Sequence, residues 1–208
     1  MSDALVRMER MYRPQARLYD LTRKHYLLGR DRLLETMPLR PGDFVCEVGC
    51  GTGRNLARLE RRDPTLRLFG LDASAAMLER ARPRTRARLA RGLAEALDPA
   101  AQFGLDRPFD RIVFSYALSM FPDWRGALGQ ALTALHPGGT IAIVDFGEQR
   151  DWPRPLKRGL RAWLRRFDVN PIDGLGEYLD GLASAGAGRV ETGIVAAGYA
   201  QLAFFEKT

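Results

Sequence analysis

Acidic residues and glycines with a regular spacing occur around residue 50. Glu47 is followed by Gly49, Gly51 and Gly53, and Asp72 closes the next apolar run. Glycines let the backbone turn sharply and come close to a ligand. The fingerprint of dinucleotide-binding loops is G-x-G-x-x-G, which is shaped around a pyrophosphate. The spacing found here, with a carboxylate at its start, favours a ligand that is cationic rather than phosphate-bearing.

The elements that must position these residues alternate between strand and helix. Residues 44–48 form an apolar run that ends before the glycines, and a helical pattern follows them. Strand patterns recur at residues 66–72, 88–92, 109–115 and 140–146, with a helix at 124–135, whereas 98–108 are predicted as loop. Residues 189–194 and 200–205 predict an antiparallel hairpin at the sheet edge. We therefore expect an α/β fold with a doubly wound, mostly parallel seven-stranded sheet.

The glycine motif also resembles that of a known family. Glu47-x-Gly49-x-Gly51-x-Gly53 is similar to [D/E]-x-G-x-G-x-G, the first motif of class I S-adenosylmethionine-dependent methyltransferases. The His-Pro-Gly-Gly turn at 136–139, before an apolar strand, is a second hallmark of this class. The resemblance covers roughly residues 40–150. It implies S-adenosyl-L-methionine as the cofactor and a Rossmann-like methyltransferase fold.

The resemblance also implies a role for each site residue. Glu47 would hold the ammonium group of the cofactor, and Asp72 its ribose hydroxyls, as expected of a carboxylate about 20 residues after the glycine loop. The glycines, Ser115 and Tyr116 would border the methionine part. The implied cofactor-binding set is Tyr26, Arg30, Glu47, Gly49, Cys50, Gly51, Gly53, Asn55, Asp72, Ala73, Leu93, Ala94, Ser115 and Tyr116, and the candidate catalytic residues are Tyr19, Tyr26 and Tyr116.

The chain of 208 residues is predicted to be a single methyltransferase domain. Residues 1–38 read as an N-terminal helical cap, interrupted at Pro14, and residues 40–150 as the cofactor-binding core. Residues 151–208 would supply a basic helix, a lid and the closing strands. His25 and His136 are isolated, so no metal site is predicted. Cys46 and Cys50 are the only cysteines, which favours reduced thiols in the cytoplasm.

The acceptor is predicted from a finer resemblance. Residues 19–34, together with Gly-Cys-Gly-Thr-Gly-Arg-Asn-Leu at 49–56, look like the N-methyltransferases that convert diacylglycerylhomoserine to a betaine lipid by successive methylations. Aromatic faces stabilise a quaternary ammonium product. The end of the fourth strand, residues 115–118, departs from the N/D-P-P-Y motif of enzymes that methylate planar amines. The candidate aromatic faces are Tyr12, Tyr19, Tyr26, Tyr116 and Trp124.

A basic segment at residues 150–167 bears on the partner. Most of the formal net charge of +7 lies in this segment, because it contains six arginines and Lys157 but only one acidic residue, Asp151. Trp152, Leu156, Leu160, Trp163, Leu164 and Phe167 form one helical stripe. The segment is therefore either a helix buried against the sheet with a wet basic face, or an interfacial helix on an anionic membrane. The second interpretation makes the protein cytoplasmic and peripherally membrane-associated.

Other functions share the same core. A methyltransferase for a soluble small molecule, such as a quinone precursor or a natural product, would use 150–167 as a packed lid. An RNA methyltransferase is suggested by the pI of 9.9, but the chain carries no recognisable RNA-binding module, so no nucleic-acid partner is expected. A binding module that only senses the cofactor is a further alternative.

Overall fold

The computed structural model describes residues 27–167 and 169–208, and its centre is one seven-stranded sheet in the order β3-β2-β1-β4-β5-β7-β6. The first five strands in the chain pair in parallel, the seventh pairs antiparallel with the fifth, and the sixth pairs antiparallel with the seventh at the edge of the sheet. This is the mostly parallel, doubly wound seven-stranded sheet expected from the sequence. The strands are β1 (Phe44–Val48), β2 (Arg67–Asp72), β3 (Arg88–Arg91), β4 (Phe109–Ser115), β5 (Leu135–Phe146), β6 (Gly188–Val195) and β7 (Ala200–Lys207).

Helices cover both faces of the sheet, because successive side chains of each strand point to opposite sides. In β4, Ile112 and Phe114 belong to one core and Val113 to the other. The described helices are α1 (Arg30–Thr36), α2 (Arg54–Arg62), α3 (Ala75–Ala81), α4 (Pro99–Phe103), α5 (Trp124–Ala134), α6 (Arg154–Arg165) and α7 (Leu175–Ser184). Helices α4, α5 and α7 contribute to the first core. Helices α1, α2 and α3 contribute to the second core, to which α6 adds one fully buried residue.

The strand order reverses between β1 and β4, because β1 pairs with β2 on one side and with β4 on the other. In open α/β sheets, ligands bind in the crevice beyond the carboxyl ends of the strands at such a switch point. Short 3-10 turns at Ala94–Ala96 and Leu118–Met120 follow β3 and β4 at this edge. The topology thus brings the glycine loop, Asp72 and the end of β4 to one place.

Two secondary-structure predictions from the sequence are wrong: a helix lies in a predicted loop, and one strand begins earlier than predicted. Residues 98–108 contain α4, which begins at Pro99 with Asp98 accepting hydrogen bonds from two backbone N–H groups of its first turn. Strand β5 begins at Leu135 rather than at 140, because Leu135 already pairs with Phe109. The register then shifts before Arg111, so the predicted turn at 136–139 is an irregular stretch within the strand.

The apolar residues predicted to form one stripe on the basic segment differ in how deeply they are buried. Leu164 is buried and Leu160 packs beside it, but Leu156 is 56% exposed. Arg161 fixes α6 by donating to both carboxylate oxygens of Asp173, and the Trp152 ring N–H donates to the carbonyl of Ala197. The helix therefore packs through a narrow edge and exposes most of its surface. No helix in the described part of the chain is long and apolar enough to cross a membrane.

Candidate active site

A cavity of about 460 Å³ lies at the carboxyl ends of β1, β2 and β4. Its wall is formed by the glycine loop, by the turn after β2, by residues 92–95 after β3, and by residues 115–117 and 120–123 after β4. Leu27 and Arg30 close it from the N-terminal side. Such a concave site at the switch point has the size and position of a small-molecule pocket.

The glycine loop is shaped by contacts that only glycine permits. Gly49 has φ +74°, and a Cβ there would lie 2.7 Å from the Cβ of Ala117. Gly53 has the same φ and is the N-cap residue before α2, where a Cβ would lie 2.9 Å from the Cβ of Ala81. Gly51 has φ +53°, with no atom within 4 Å of its Cβ position. The loop is thus pressed against its neighbours at both ends and open to the cavity at its middle.

Glu47 is a buried carboxyl group at the cavity wall, with only 2% of its surface exposed. Its Oε1 accepts a hydrogen bond of 2.6 Å from Asn55 Nδ2, whereas Oε2 has no hydrogen-bond partner among the described residues. Burial raises the pKa of Glu47 to about 8, although the Asn55 bond and the charge of Arg30 oppose this shift. Without a cation beside it, this group is therefore largely protonated at neutral pH.

Asp72 ends β2 and is held by the backbone. Its Oδ2 accepts from the N–H of Gly51 at 2.7 Å, and its Oδ1 from the N–H of Ser74 at 2.9 Å. Burial raises the pKa of Asp72, and these two bonds oppose the rise. The carboxylate therefore has a fixed orientation, while each oxygen keeps a lone pair for a further donor.

Two other buried polar atoms of the cavity lack a partner among the described residues. They are the Nε of Arg30 and the Oγ of Ser115. Burial lowers the pKa of Arg30, and the positive charge of the nearby Arg54 lowers it further. Buried polar groups in proteins are almost always hydrogen-bonded, so unpaired atoms on residues that line a cavity suggest contacts that a ligand supplies.

Tyr116 has an unusual backbone conformation, and its hydroxyl is already hydrogen-bonded within the protein. Its φ is +53°, a region rarely adopted by a residue with a side chain, and it is only 3% exposed. The hydroxyl donates to the carbonyl oxygen of Leu28 at 2.5 Å, and the ring packs on Phe146 with centroids 4.8 Å apart. Backbone strain of this kind is often found at ligand sites.

Known proteins share this architecture. Residues 46–141 match a family profile described as "Methyltransferase domain". Among solved structures, a putative methyltransferase of Haloferax volcanii, in complex with the Trm112 methyltransferase activator, has a TM-score of 0.78 at 18% identity and covers 96% of each chain. A SAM-dependent methyltransferase of Thermotoga maritima, described as a possible histamine N-methyltransferase, has a TM-score of 0.72 at 19% identity, covering 97% of this chain and 100% of its own.

Residues 46–141 form a methyltransferase domain. The domain is of the S-adenosylmethionine-dependent class, and S-adenosylmethionine is its cofactor. The cavity lies at the switch point of its sheet, which is where open α/β folds bind their ligands.

Two curated relatives of the methyltransferase domain are described as trans-aconitate 2-methyltransferases. A trans-aconitate 2-methyltransferase of Variovorax paradoxus is 36% identical over 166 residues, which is 74% of this chain and 61% of that protein. The protein of the same name from Methylobacterium radiotolerans is 39% identical over 111 residues, which is 53% of this chain and 41% of that protein. The chain thus spans between about two fifths and three fifths of the length of these two relatives.

Most site residues predicted for the methyltransferase domain lie together around the cavity, although their roles stay predictions. Gly53 is an exception, since it packs against α3 and does not line the cavity. Trp124 packs on Tyr178 instead of offering its face to the cavity. Tyr12, Tyr19 and Tyr26 lie outside the described residues. The predicted residues that do line the cavity are Arg30, Glu47, Gly49, Cys50, Gly51, Asn55, Asp72, Ala73, Leu93, Ala94, Ser115 and Tyr116.

Several residues of the methyltransferase site were not predicted from the sequence. Met120, Phe121 and Asp123 line the cavity from the segment after β4. Arg54 also lines it and donates to Asp31 at 2.9 Å. The position of residues 120–123 directly after a predicted strand end is a signal that could have identified them. Nothing in the sequence brings Asp31 next to the first residue of α2.

Proposed function

We propose that the protein transfers a methyl group from S-adenosylmethionine to a carboxylate of a small soluble acid. The observation that carries the cofactor part of this proposal is the set of unpaired polar atoms on residues that line the cavity. An oxygen of Glu47, the Nε of Arg30 and the Oγ of Ser115 have no partners among the described residues. The acceptor class is suggested by the trans-aconitate 2-methyltransferases among the relatives.

The unpaired atoms match the amino-acid end of the cofactor. Glu47 offers an acceptor to an ammonium group, and Arg30 offers a charged donor to a carboxylate. Asp72, already oriented by Gly51 and Ser74, has free lone pairs for the ribose hydroxyls. We infer that Ala73, Leu93 and Ala94, which line the cavity beyond Asp72, surround the adenine.

The bound cofactor supplies an electrophilic methyl group, so the chain needs no covalent nucleophile. Its contribution is to orient both reactants and to exclude water. A carboxylate acceptor is already ionised at neutral pH and requires no base. The one tyrosine that lines the cavity in the described chain, Tyr116, donates its hydroxyl proton to Leu28 and is poorly placed to accept another.

The test is a transfer assay with methyl-labelled cofactor. Small di- and tricarboxylic acids, including trans-aconitate, are compared with their methyl esters, which have no free carboxylate. We expect alkali-labile label, as in a methyl ester, in the free acids only. Asp72→Ala is the inactive control, because loss of the ribose contact weakens cofactor binding. Label that is stable to alkali, or equal label in acids and esters, would reject the carboxylate acceptor.

A lipid amine is the second candidate acceptor, and one feature favours it. Leu156 is exposed on α6 beside the exposed Arg154 and Arg158, a combination suited to anionic lipid surfaces. The comparisons with known proteins give no support to the betaine-lipid assignment. Including total lipid extract in the transfer assay separates the candidates, since label would then enter a headgroup rather than a soluble acid.

A further inference from the structure

We propose that Tyr116 is a positioning residue, which holds Arg30 at the cofactor cavity by anchoring the segment before α1. This inference rests on the proposed function, because it concerns how the cofactor site is completed. It assigns to Tyr116 a role other than the catalytic one predicted from the sequence.

The anchor joins two distant parts of the chain. The Tyr116 hydroxyl donates to the Leu28 carbonyl across 88 residues of sequence, and Leu28 stands two residues before Arg30. Between them, Gly29 has φ +82° and is the N-cap residue of α1, and its carbonyl accepts from the N–H of Leu33. The direction in which Arg30 leaves the helix start therefore depends on where the Leu28 carbonyl is held.

Tyr116 is itself fixed firmly enough to serve as an anchor. Its backbone N–H donates to the carbonyl of Val144 at 2.7 Å, and its ring packs on Phe146. Its positive φ turns the chain sharply after β4. Because the ring is held by β5 on one side and the hydroxyl by Leu28 on the other, the side chain connects the end of the sheet to the start of α1.

The hydroxyl is suited to donate a hydrogen bond and poorly suited to accept a proton. Burial and the nearby charge of Asp145 raise the pKa of Tyr116 above its usual value. The phenol therefore stays protonated throughout the physiological range. A general base in this position would need the opposite shift.

The experiment is a double-mutant cycle on cofactor affinity. Tyr116→Phe removes only the hydroxyl, Arg30→Gln removes the charge, and the double variant carries both changes. Tyr178→Phe is the matched control, since that ring packs on Trp124 and does not line the cavity. The dissociation constant for S-adenosylmethionine is measured by calorimetry, well below the melting temperature of each variant.

We expect Tyr116→Phe to weaken cofactor binding by roughly three- to tenfold, the effect of one lost hydrogen bond. Arg30→Gln should weaken it by about tenfold or more. If Tyr116 acts through Arg30, the double variant binds within about twofold of Arg30→Gln alone. A double variant whose loss equals the product of the two single losses would overturn the proposal. So would a loss of about 100-fold in kcat at unchanged affinity, which would make Tyr116 a proton-transfer group.

A second readout does not depend on the cofactor. Without any ligand, amide hydrogens of residues 30–36 should exchange faster in Tyr116→Phe than in the wild type or in Tyr178→Phe. Equal exchange would refute the anchor. If instead the wild-type protein binds no S-adenosylmethionine, the proposed function fails, while the exchange comparison still decides whether Tyr116 fixes this segment.

Discussion

Glu47 illustrates at the scale of one residue how a ligand site differs from a stable core. The carboxyl group is buried, only one of its oxygens is hydrogen-bonded within the described chain, and its pKa is raised to about 8. An isolated buried charge is unfavourable, so Glu47 keeps its proton at neutral pH when no cation is bound. A bound ammonium group reverses this preference, because an opposite charge nearby favours the ionised carboxylate. Cofactor binding should therefore release a proton.

This proton release can be measured by calorimetry. At pH 6.5, in buffers of different ionisation enthalpy, the wild-type protein should release nearly one proton from Glu47 for each cofactor bound. Glu47→Gln should release about one proton fewer and bind more weakly, since the amide cannot ionise. Glu191→Gln, a change on the exposed face of β6, is the control and should behave as the wild type. Equal release from all three proteins would show that Glu47 is already ionised in the empty site.

At the scale of elements, the three glycines of the glycine loop have different functions. Two are needed for close packing against neighbouring residues, and one leaves room for a ligand. Alanine at Gly49, Gly51 or Gly53 meets the same unfavourable positive φ, which costs about 1–2 kcal/mol. Only at Gly49 and Gly53 does the new Cβ also collide with a neighbouring alanine, at 2.7 and 2.9 Å. Differences among the three variants therefore report collision rather than backbone strain.

We expect Gly49→Ala and Gly53→Ala to lose at least about 1 kcal/mol more unfolding free energy than Gly51→Ala. Gly51→Ala should instead show the largest loss of cofactor affinity relative to its loss of stability, because Gly51 lines the cavity and its Cβ position has no protein atom within 4 Å. Urea denaturation and calorimetry measure the two quantities. A Gly51→Ala variant as destabilised as Gly53→Ala would contradict this assignment of the loop.

The same elements indicate how much could be predicted from the sequence. Strand β4 has the predicted bounds because it is an apolar run with a clear start and end, and the mostly parallel sheet was expected from the alternation of strand and helix. Helix α4 was missed although Asp98 and Pro99 form a standard helix start, because five residues leave no room for an apolar repeat. Helix α7 was not predicted. For α6, the predicted apolar stripe implied more burial than the structure shows, since Leu164 is its one fully buried residue.

The site itself was predictable only in part, for a related reason. Residues near strand ends, such as Glu47 and Asp72, are assigned by local spacing, because parallel strands end at one edge of the sheet. Contacts that depend on how distant segments pack have no local signature. The bond from Tyr116 to Leu28 and the pairing of Arg54 with Asp31 are of this kind.

At the scale of the whole molecule, the site should lower stability until the cofactor binds. The pKa of Glu47 rises from its ordinary value of 4.5 to about 8 on folding, so the folded state holds a proton that the unfolded state releases. The unfolding free energy therefore falls as pH rises between these two values, by up to about 1.4 kcal/mol per pH unit. Above pH 8 the loss is complete and the slope disappears.

Glu47→Gln should consequently stabilise the cofactor-free protein, and more so at higher pH. Denaturation at pH 6 and pH 8 should show the advantage of this variant over the wild type growing by about 2 kcal/mol, whereas Glu191→Gln shows no such trend. Saturating S-adenosylmethionine should narrow or reverse the difference, because only the wild type gains the full binding free energy. An advantage that is independent of pH would mean that Glu47 does not carry the shifted pKa. An advantage that persists unchanged with cofactor would mean that Glu47 does not bind its ammonium group.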